Sequence, residues 1–345
     1  MPIVPPSRIL SWHEDRLHGR LRMRRLRSRA LGISKPYYVY EAPGLADADA
    51  PPVLYAFRGH EREWVNMQED DSRSHATAIQ DIDTCVAEGL LPPMIVVMPG
   101  LNSANNHVPS LGINMVGTWK RSMQGLGSGQ FWTYLNEELL PSVDADYPHL
   151  ADSPRLMAGF SLGGYTVHLL AMKRPGYFAH AAMYDSLFMW PGHRDPRITS
   201  KNASKSAPKS ASESTATACT DRIWGEASIF DPALGKPRDQ DAMQRWNPTD
   251  MLAAASPSML QKLRRTTYWI ACAPSDGSKG NLHRGRFLLK RFRANDLPLG
   301  FDRADPVFHP EAAHTWHWTD RFVVRFLREA VGDKQHAGSE AAVEE

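Results

Sequence analysis

Apolar residues along the chain fall into compact runs that alternate with segments of helical spacing. Five runs predict buried strands, at 52–57, 94–98, 155–158, 177–184 and 266–273. Helical spacing predicts helices at 79–89, 131–140, 166–173, 281–293 and 320–329, the second of them ending before Pro141. Strands that alternate with helices are typical of a parallel sheet with crossover helices. The pattern therefore predicts an α/β fold with a central, mostly parallel sheet flanked by helices.

The first organised segment, residues 19–41, shows a different periodicity. Arginines at 20, 22 and 24 alternate with Leu21 and Met23, which predicts a half-exposed strand. Like charges along such a strand prevent further strands from pairing with it, so we interpret it as an exposed edge strand. An anion-binding patch is the alternative interpretation of the run RLRMRRLRSR.

Composition adds the domain organisation. The 345 residues, 42% hydrophobic and 23% charged, are typical of a globular protein that buries a sizeable core. We expect a single domain over 19–332, preceded by an N-terminal extension at 1–18. Residues 192–219 are rich in Ser, Lys, Ala and Thr and predict a flexible insertion after the strand that ends near Asp185. The polar tail, 333–345, is predicted to be disordered.

Charge and cysteine content narrow the range of partners. Forty basic and 38 acidic residues leave a net charge of +2, too small to bind nucleic acid or a membrane surface through a global field. The three cysteines have no C-x-x-C spacing, so neither a disulfide framework nor a zinc site is indicated. The start of the chain lacks a signal-peptide core, and a bilayer span needs about 20 apolar residues, more than the longest apolar stretch provides. We therefore expect a cytoplasmic protein without a membrane span.

The sequence Gly159-Phe-Ser-Leu-Gly-Gly164 lies between a predicted strand and a predicted helix. A nucleophile elbow needs this context, with small residues two positions before and after the serine, because the turn is sharp and strained. Gly159 and Gly163 satisfy the requirement, so Ser161 is the predicted nucleophile. The backbone N–H of Leu162, at the start of the helix, could then stabilise an oxyanion. The alternative is a glycine-rich helix start with an inert serine.

A serine nucleophile needs an acid that orients its general base, and this fold places the acid after a later strand. Asp276 lies in the turn Pro274-Ser-Asp-Gly277 that follows the strand at 266–273, and it is the predicted acid. A structural role as a turn residue or helix N-cap is the alternative for Asp276. Asp185, at the end of an earlier strand, is the second candidate for the acid.

The general base should be a histidine near the end of the chain. His314 lies in a loop that leads into the final helix, so it is the predicted base. His317 and His309 are the alternatives, and His283 falls within a predicted helix.

These residues give the chain a resemblance to the putative esterase family of α/β-hydrolases, which includes esterase D, enterochelin esterase, feruloyl esterases and the antigen 85 mycolyltransferases. The resemblance covers nearly the whole chain. The matching segments are the entry strands at 28–32 and 38–44, the first buried strand at 53–57, the G-x-S-x-G-G elbow at 159–164, the acid-bearing turn at 272–276 and the H-x-W segment at 314–318. The resemblance implies the same roles for Ser161, Asp276 and His314.

One segment departs from the family pattern. Where the family carries a His-Gly-rich oxyanion loop, this chain has Arg58-Gly59-His60. Gly59 allows close backbone approach, so the second oxyanion donor is expected to be the N–H of His60, with the N–H of Gly59 as a further member of the oxyanion hole. Arg58, Arg62 and Trp64 would then line the site entrance and bind an acidic or aromatic substrate. Exposed charges that flank a turn are the simpler interpretation.

The function that follows is hydrolysis of a small-molecule ester through an acyl-enzyme on Ser161, with no metal or organic cofactor required. An acyltransferase would use the same three residues and deliver the acyl group to an alcohol. A noncatalytic binding protein on a hydrolase scaffold is the alternative from a different class.

Overall fold

The computed structural model describes residues 17–73, 75–119, 124–193, 223–274, 280–301 and 304–332. The predicted extension at 1–18, the insertion at 192–219 and the tail at 333–345 lie almost wholly or wholly outside these ranges. Asp276 also lies outside the described residues.

Seven strands form one sheet in the order β1-β2-β4-β3-β5-β6-β7. They are β1 (Arg20–Ser28), β2 (Ile33–Glu41), β3 (Val53–Phe57), β4 (Ile95–Pro99), β5 (Arg155–Phe160), β6 (His180–Tyr184) and β7 (Thr267–Ala271). The β1–β2 and β2–β4 pairs are antiparallel, and the remaining pairs are parallel. All five predicted buried strands are thus confirmed as the parallel part of the sheet.

The α-helices of the described residues flank both faces of this sheet. They are α1 (Ala78–Ala87), α2 (Phe131–Thr133), α3 (Leu140–Asp146), α4 (Leu162–Lys173), α5 (Ala227–Leu234), α6 (Gln240–Arg245), α7 (Pro248–Ala253), α8 (Pro257–Leu263), α9 (Asn281–Ala294) and α10 (Trp316–Val331). Short 3-10 turns occur at Leu45–Asp47, Glu61–Trp64, Pro148–Leu150 and Ile223–Gly225. The architecture confirms the predicted α/β class.

The prediction that a helix ends before Pro141 is wrong. A π-helical segment, Tyr134–Leu139, joins α2 to α3. It changes the hydrogen-bond register, so Pro141 falls in the first turn of α3. The proline therefore lies inside a continuous helical segment, at the point where the π-helical hydrogen-bonding pattern changes to the α-helical one.

Two apolar clusters form the core, one on each face of the sheet. Strands β3 and β4 are buried along their whole length. Alternate side chains of β3 therefore enter different clusters, with Tyr55 on one face and Leu54 on the other. This burial on both faces explains why these strands are continuous apolar runs in the sequence.

The two edges of the sheet are protected in different ways. β1 forms one edge, as predicted, and most of its arginines are at least partly exposed. β7 forms the other edge, and its outer side is covered by bridges from Tyr268 to Leu299 and from Cys272 to Val307. The outer backbone groups of β7 are thus covered by other segments of the chain, whereas those of β1 are flanked by charged arginine side chains.

Among the described residues, no helix has the length and apolar character that crossing a membrane requires.

Candidate active site

Ser161 stands at the sharp turn between β5 and α4. Its backbone adopts φ 55° and ψ −114°, a strained conformation for a residue with a side chain. The turn is fixed by a hydrogen bond from the Ser161 N–H to the carbonyl of Tyr184, 3.1 Å. A methyl group added at Gly163 would overlap the carbonyl oxygen of Phe57, so only glycine lets α4 begin this close to β3. These are the features of a nucleophile elbow.

The structure brings His314 and Asp185 together. The Nδ1 atom of His314 lies 2.5 Å from Oδ2 of Asp185. The aspartate side chain is fully buried, and the histidine side chain is 14% exposed. Asp185 follows β6 directly with φ 40°, and its N–H donates to the carbonyl of Ala271. The carboxylate that contacts the predicted base is thus the second candidate of the sequence analysis.

Further donors hold the Asp185 carboxylate in place. The N–H of Ala273 donates to Oδ1 over 3.1 Å, and Nδ2 of Asn281 donates to Oδ2 over 3.2 Å. Asn281 is in turn held by Arg284, whose Nη2 donates to its side-chain oxygen over 2.8 Å. A buried carboxylate with this many donors is held in one orientation. Sequence reasoning missed Asn281, although its position at the start of α9 directly after the loop that follows β7 was a usable signal.

The loop that carries His314 is anchored to the rest of the site. The hydroxyl of Tyr184 donates to the carbonyl of Ala313, 2.8 Å, and the N–H of Trp316 donates to the hydroxyl of Ser72, 3.0 Å. The ring of Phe160, the residue before the nucleophile, lies 4.7 Å from the imidazole of His314. His314 is therefore held beside the elbow by contacts on both sides.

A buried ion pair lies below this loop. Nε of Arg73 contacts Oδ2 of Asp320 at 3.0 Å, and the Arg73 guanidinium lies 4.0 Å from the ring of Trp316. Oδ1 of Asp320 accepts the N–H of Ala78, the first residue of α1. Burial raises the pKa of Asp320 to about 7, and the charge of Arg73 opposes that rise. The pair joins the start of α10 to the start of α1.

The predicted second oxyanion donors are bonded elsewhere. The N–H groups of Gly59 and His60 both donate to Oε2 of Glu63, at 3.1 and 2.6 Å. Glu63 belongs to a capping box, in which the third helical residue returns its side chain to the N-cap N–H. Sequence reasoning missed Glu63, although the spacing His60-x-x-Glu63 is a capping-box signal. The Leu162 N–H has no intrahelical acceptor, because it begins α4.

The three residues predicted to line the entrance have different environments. Trp64 is only 1% exposed and packs edge-on against Trp316 at 5.0 Å, so it belongs to the core and its prediction is wrong. Arg62 is 8% exposed and bonds Glu69. Arg58 alone lies next to the elbow, with its guanidinium 4.9 Å from the ring of Phe160.

The alternative histidines are not in contact with Asp185. His309 is exposed and stacks on Trp318 at 4.9 Å. His317 is the second residue of α10, and His283 is exposed on α9. His314 is thus the histidine that the described structure joins to a buried carboxylate.

A mostly parallel sheet with a strained serine elbow after one strand and an aspartate–histidine contact after later elements defines an α/β-hydrolase. The chain belongs to the family described as Putative esterase, whose model matches residues 28–288. It is therefore a hydrolase that cleaves esters, and the resemblance inferred from its motifs is confirmed.

Solved structures share the fold at low sequence identity. A ferulic acid esterase is 15% identical, with a TM-score of 0.59, and the match covers 91% of this chain and 98% of that protein. An S-formylglutathione hydrolase from Agrobacterium tumefaciens is 17% identical, with a TM-score of 0.55 and coverage of 92% and 97%. The fluorophosphonate-binding serine hydrolase F of Staphylococcus aureus is 14% identical, with a TM-score of 0.54 and coverage of 91% and 99%.

Proposed function

We propose that this protein is a serine carboxylesterase that works through an acyl-enzyme on Ser161, with His314 as general base and Asp185 as its orienting acid. The observation that carries the proposal is the 2.5 Å contact between His314 Nδ1 and Asp185 Oδ2 beside a strained serine elbow. Nucleophile, acid and base then follow one another along the chain as Ser161, Asp185 and His314, which is the order typical of this fold.

The proposed reaction has two steps. Ser161 Oγ attacks the carbonyl carbon of the ester while its proton passes to Nε2 of His314. The tetrahedral intermediate collapses, the C–O bond to the alcohol breaks, and His314 returns the proton to the leaving oxygen. Water, deprotonated by the same histidine, then attacks the acyl-enzyme and releases the acid. Because Asp185 binds Nδ1 of His314, it fixes the tautomer that has its proton on Nδ1, which leaves Nε2 able to accept the proton of Ser161.

Asp185 replaces Asp276 in this proposal for a geometric reason. The carboxylate of Asp185 is buried, bonded to His314 and supported by Ala273 and Asn281. An acid in the turn after β7 would need the same histidine nitrogen that Asp185 already occupies. Asp276 keeps the alternative role of a turn residue.

We infer that the oxyanion is stabilised by the N–H of Leu162, with the N–H of His60 as the second donor once Glu63 releases it. The support for Leu162 is its position at the N-terminus of α4, where N–H groups and the helix dipole favour negative charge. The support for His60 is the closeness of Gly163 to Phe57 and Arg58, which puts the loop after β3 against the elbow.

The test combines covalent labelling and turnover. A fluorophosphonate probe should label the wild-type chain at Ser161, and p-nitrophenyl esters should be hydrolysed at a rate that Ser161→Ala lowers by about 10⁴-fold or more. Circular dichroism and thermal unfolding of Ser161→Ala should match the wild type. Full activity in Ser161→Ala would disprove the proposal. Product analysis with added alcohols separates a hydrolase from an acyltransferase, because the latter forms a new ester.

A further inference from the structure

A large cavity lies apart from the elbow. Its volume is about 690 Å³, and neither Ser161 nor His314 lines it. The walls come from β1, the start of β2, the loop after β3, and residues 104, 119 and 124–127. A cavity of this size accommodates part of a small organic molecule.

The cavity opens at the same edge of the sheet as the nucleophile. Tyr37 of β2 pairs with Pro99, the last residue of β4, so the start of β2 lies at the carboxyl edge of the parallel strands. β5, which ends directly before Ser161, is next to β3 and three strands from β2. At about 4.8 Å per strand spacing, the elements that line the cavity lie between about 5 Å, at the loop after β3, and about 19 Å, at β1, from β5 along this edge. His60 lines its near wall and belongs to the loop beside the elbow.

Two residues that line the cavity carry buried polar atoms without hydrogen-bond partners among the described residues. They are Oη of Tyr38 and Oε2 of Glu61. Both residues are buried, with exposures of 0% and 3%. Nδ1 of His60 lies 3.2 Å from Oε2 of Glu61, but it accepts the N–H of Arg62. Burial, aided by the charges of Arg62 and Lys35, lowers the pKa of His60 to about 3, so the ring is neutral and its Nδ1 offers no proton to Glu61. A bound group with a donor would satisfy the glutamate oxygen.

Lys35 does not supply that donor. Its ammonium group donates to the carbonyls of Asn102 and Gly125, at 2.5 and 2.8 Å. Burial lowers the pKa of Lys35 and raises that of Glu61, while the charge of each residue opposes the shift of the other. Oε2 of Glu61 therefore stays without a hydrogen-bond partner in a residue that lines the cavity, while Lys35 balances the charge of the carboxylate.

The mouth of the cavity is positively charged. Arg25 lies on the wall formed by β1, and its side chain is exposed. Arg27 follows two residues later and therefore lies on the same face of the strand. The arginine run thus forms an edge strand, as predicted, and it also borders this cavity. Trp119 adds an aromatic surface to the wall.

We propose that this cavity binds the far end of the ester substrate, and that this end carries a carboxylate with a neighbouring amino or hydroxyl donor. The carboxylate pairs with Arg25 at the mouth, and the donor bonds Glu61. The inference rests on the proposed function, since it assigns the substrate class of the Ser161 site. It explains why the sheet edge next to the nucleophile combines cations with a buried acceptor.

Three p-nitrophenyl esters of equal chain length test the proposal. They are the octanoate, the suberate monoester, and the suberate monoester that carries an amino group on the carbon next to its free carboxylate. The wild type should show the lowest KM for the amino derivative and the highest for the octanoate. Arg25→Ala should raise KM for both carboxylate-bearing esters about tenfold, equivalent to about 1.4 kcal/mol, and leave kcat unchanged. Glu61→Gln should reduce only the advantage of the amino derivative.

Arg20→Ala is the matched control, because Arg20 is exposed at the other end of the same strand and does not line the cavity. It should leave all three KM values as in the wild type. An equal effect of Arg20→Ala and Arg25→Ala, or no preference of the wild type for the charged esters, would overturn the proposal. Hydrolysis of the octanoate that depends on Ser161 tests the proposed function separately, since that ester carries no charged end.

Discussion

Asp185 and His314 lie 129 positions apart in the sequence, and their side chains meet at 2.5 Å. One follows β6 directly, and the other stands in the loop before α10. Only the folded sheet brings them together, so their contact ties the function of the site to the topology of the whole chain.

A pair of matched variants separates the two candidate acids. Asp185→Asn should lower kcat by about 10⁴-fold, because the histidine loses the partner that fixes its tautomer. Asp276→Asn should change kcat less than about twofold, because Asp185 already bonds the histidine nitrogen that an orienting acid needs. Initial rates with p-nitrophenyl octanoate measure both. The reverse ranking would restore Asp276 as the acid.

The carboxylate of Glu63 accepts hydrogen bonds from two N–H groups of the loop after β3, those of Gly59 and His60. A hydrogen bond to a charged group exceeds one to a neutral group by about 1 kcal/mol, so an oxyanion competes better against an amide than against the carboxylate. Glu63→Gln should therefore raise kcat about fivefold. A fall in kcat would show instead that the carboxylate keeps the loop in its working shape. Thermal unfolding, compared with the wild type, shows whether the variant is folded.

The buried pair Arg73 and Asp320 should matter for stability. Asp320→Asn leaves the arginine charge without its partner, which costs about 3 kcal/mol in the free energy of unfolding when measured at pH 8, where the carboxylate is ionised. The control is Asp305→Asn, since its ion pair with Arg286 is nearly half exposed on both sides. That change should cost less than about 1 kcal/mol. Equal losses in the two variants would contradict the assignment.

The burial of His168 predicts that the folded protein loses stability in acid. It is fully buried on α4, its ring lies edge-on to Phe188 and Phe292, and burial lowers its pKa to about 3 from the ordinary 6.5. Between pH 6.5 and 3 the unfolded chain binds a proton there that the folded chain does not. The contribution of this residue to stability is therefore lost as the pH falls through that window, by about 1.4 kcal/mol per unit.

His168→Leu should remove this dependence and gain about 2 kcal/mol over the wild type at pH 5, relative to their difference at pH 8. Urea unfolding at both values measures it. The control is His283→Leu on the exposed side of α9, which should leave the pH dependence unchanged. If the free energy of unfolding changed equally with pH in His168→Leu and in the wild type, His168 would be excluded as the cause of the pH dependence.

Much of the fold was predictable because its signals are local. The buried strands are apolar runs, and the elbow glycines are required by a backbone conformation that the residue types disclose. The helix across Pro141 was mispredicted because the π-helical segment before it depends on packing and leaves no mark in the periodicity. Single-residue patterns therefore sufficed for β3 to β7 and failed at one helix junction.

The site was predictable in part for the same reason. Ser161 and His314 belong to motifs, whereas the choice of acid depends on which strand end lies beside His314 in space. Asp185 was available at the end of β6, but spacing alone favoured the later turn. The burial of Trp64 depends on tertiary packing, which the order of residues in the loop after β3 does not reveal. The bond from the His60 N–H to Glu63 is local, and its capping-box spacing was a signal that the prediction did not use.

The two edges of the sheet respond differently to the solvent. At β7 the backbone is covered by the segments of Leu299 and Val307, and no change in the medium removes that cover while the protein stays folded. At β1 the protection is electrostatic and depends on the range of repulsion between arginines of neighbouring molecules. That range shrinks from about 10 Å at 0.1 M salt to about 3 Å at 1 M salt. Self-association through strand pairing at high ionic strength should therefore begin from the arginine edge alone.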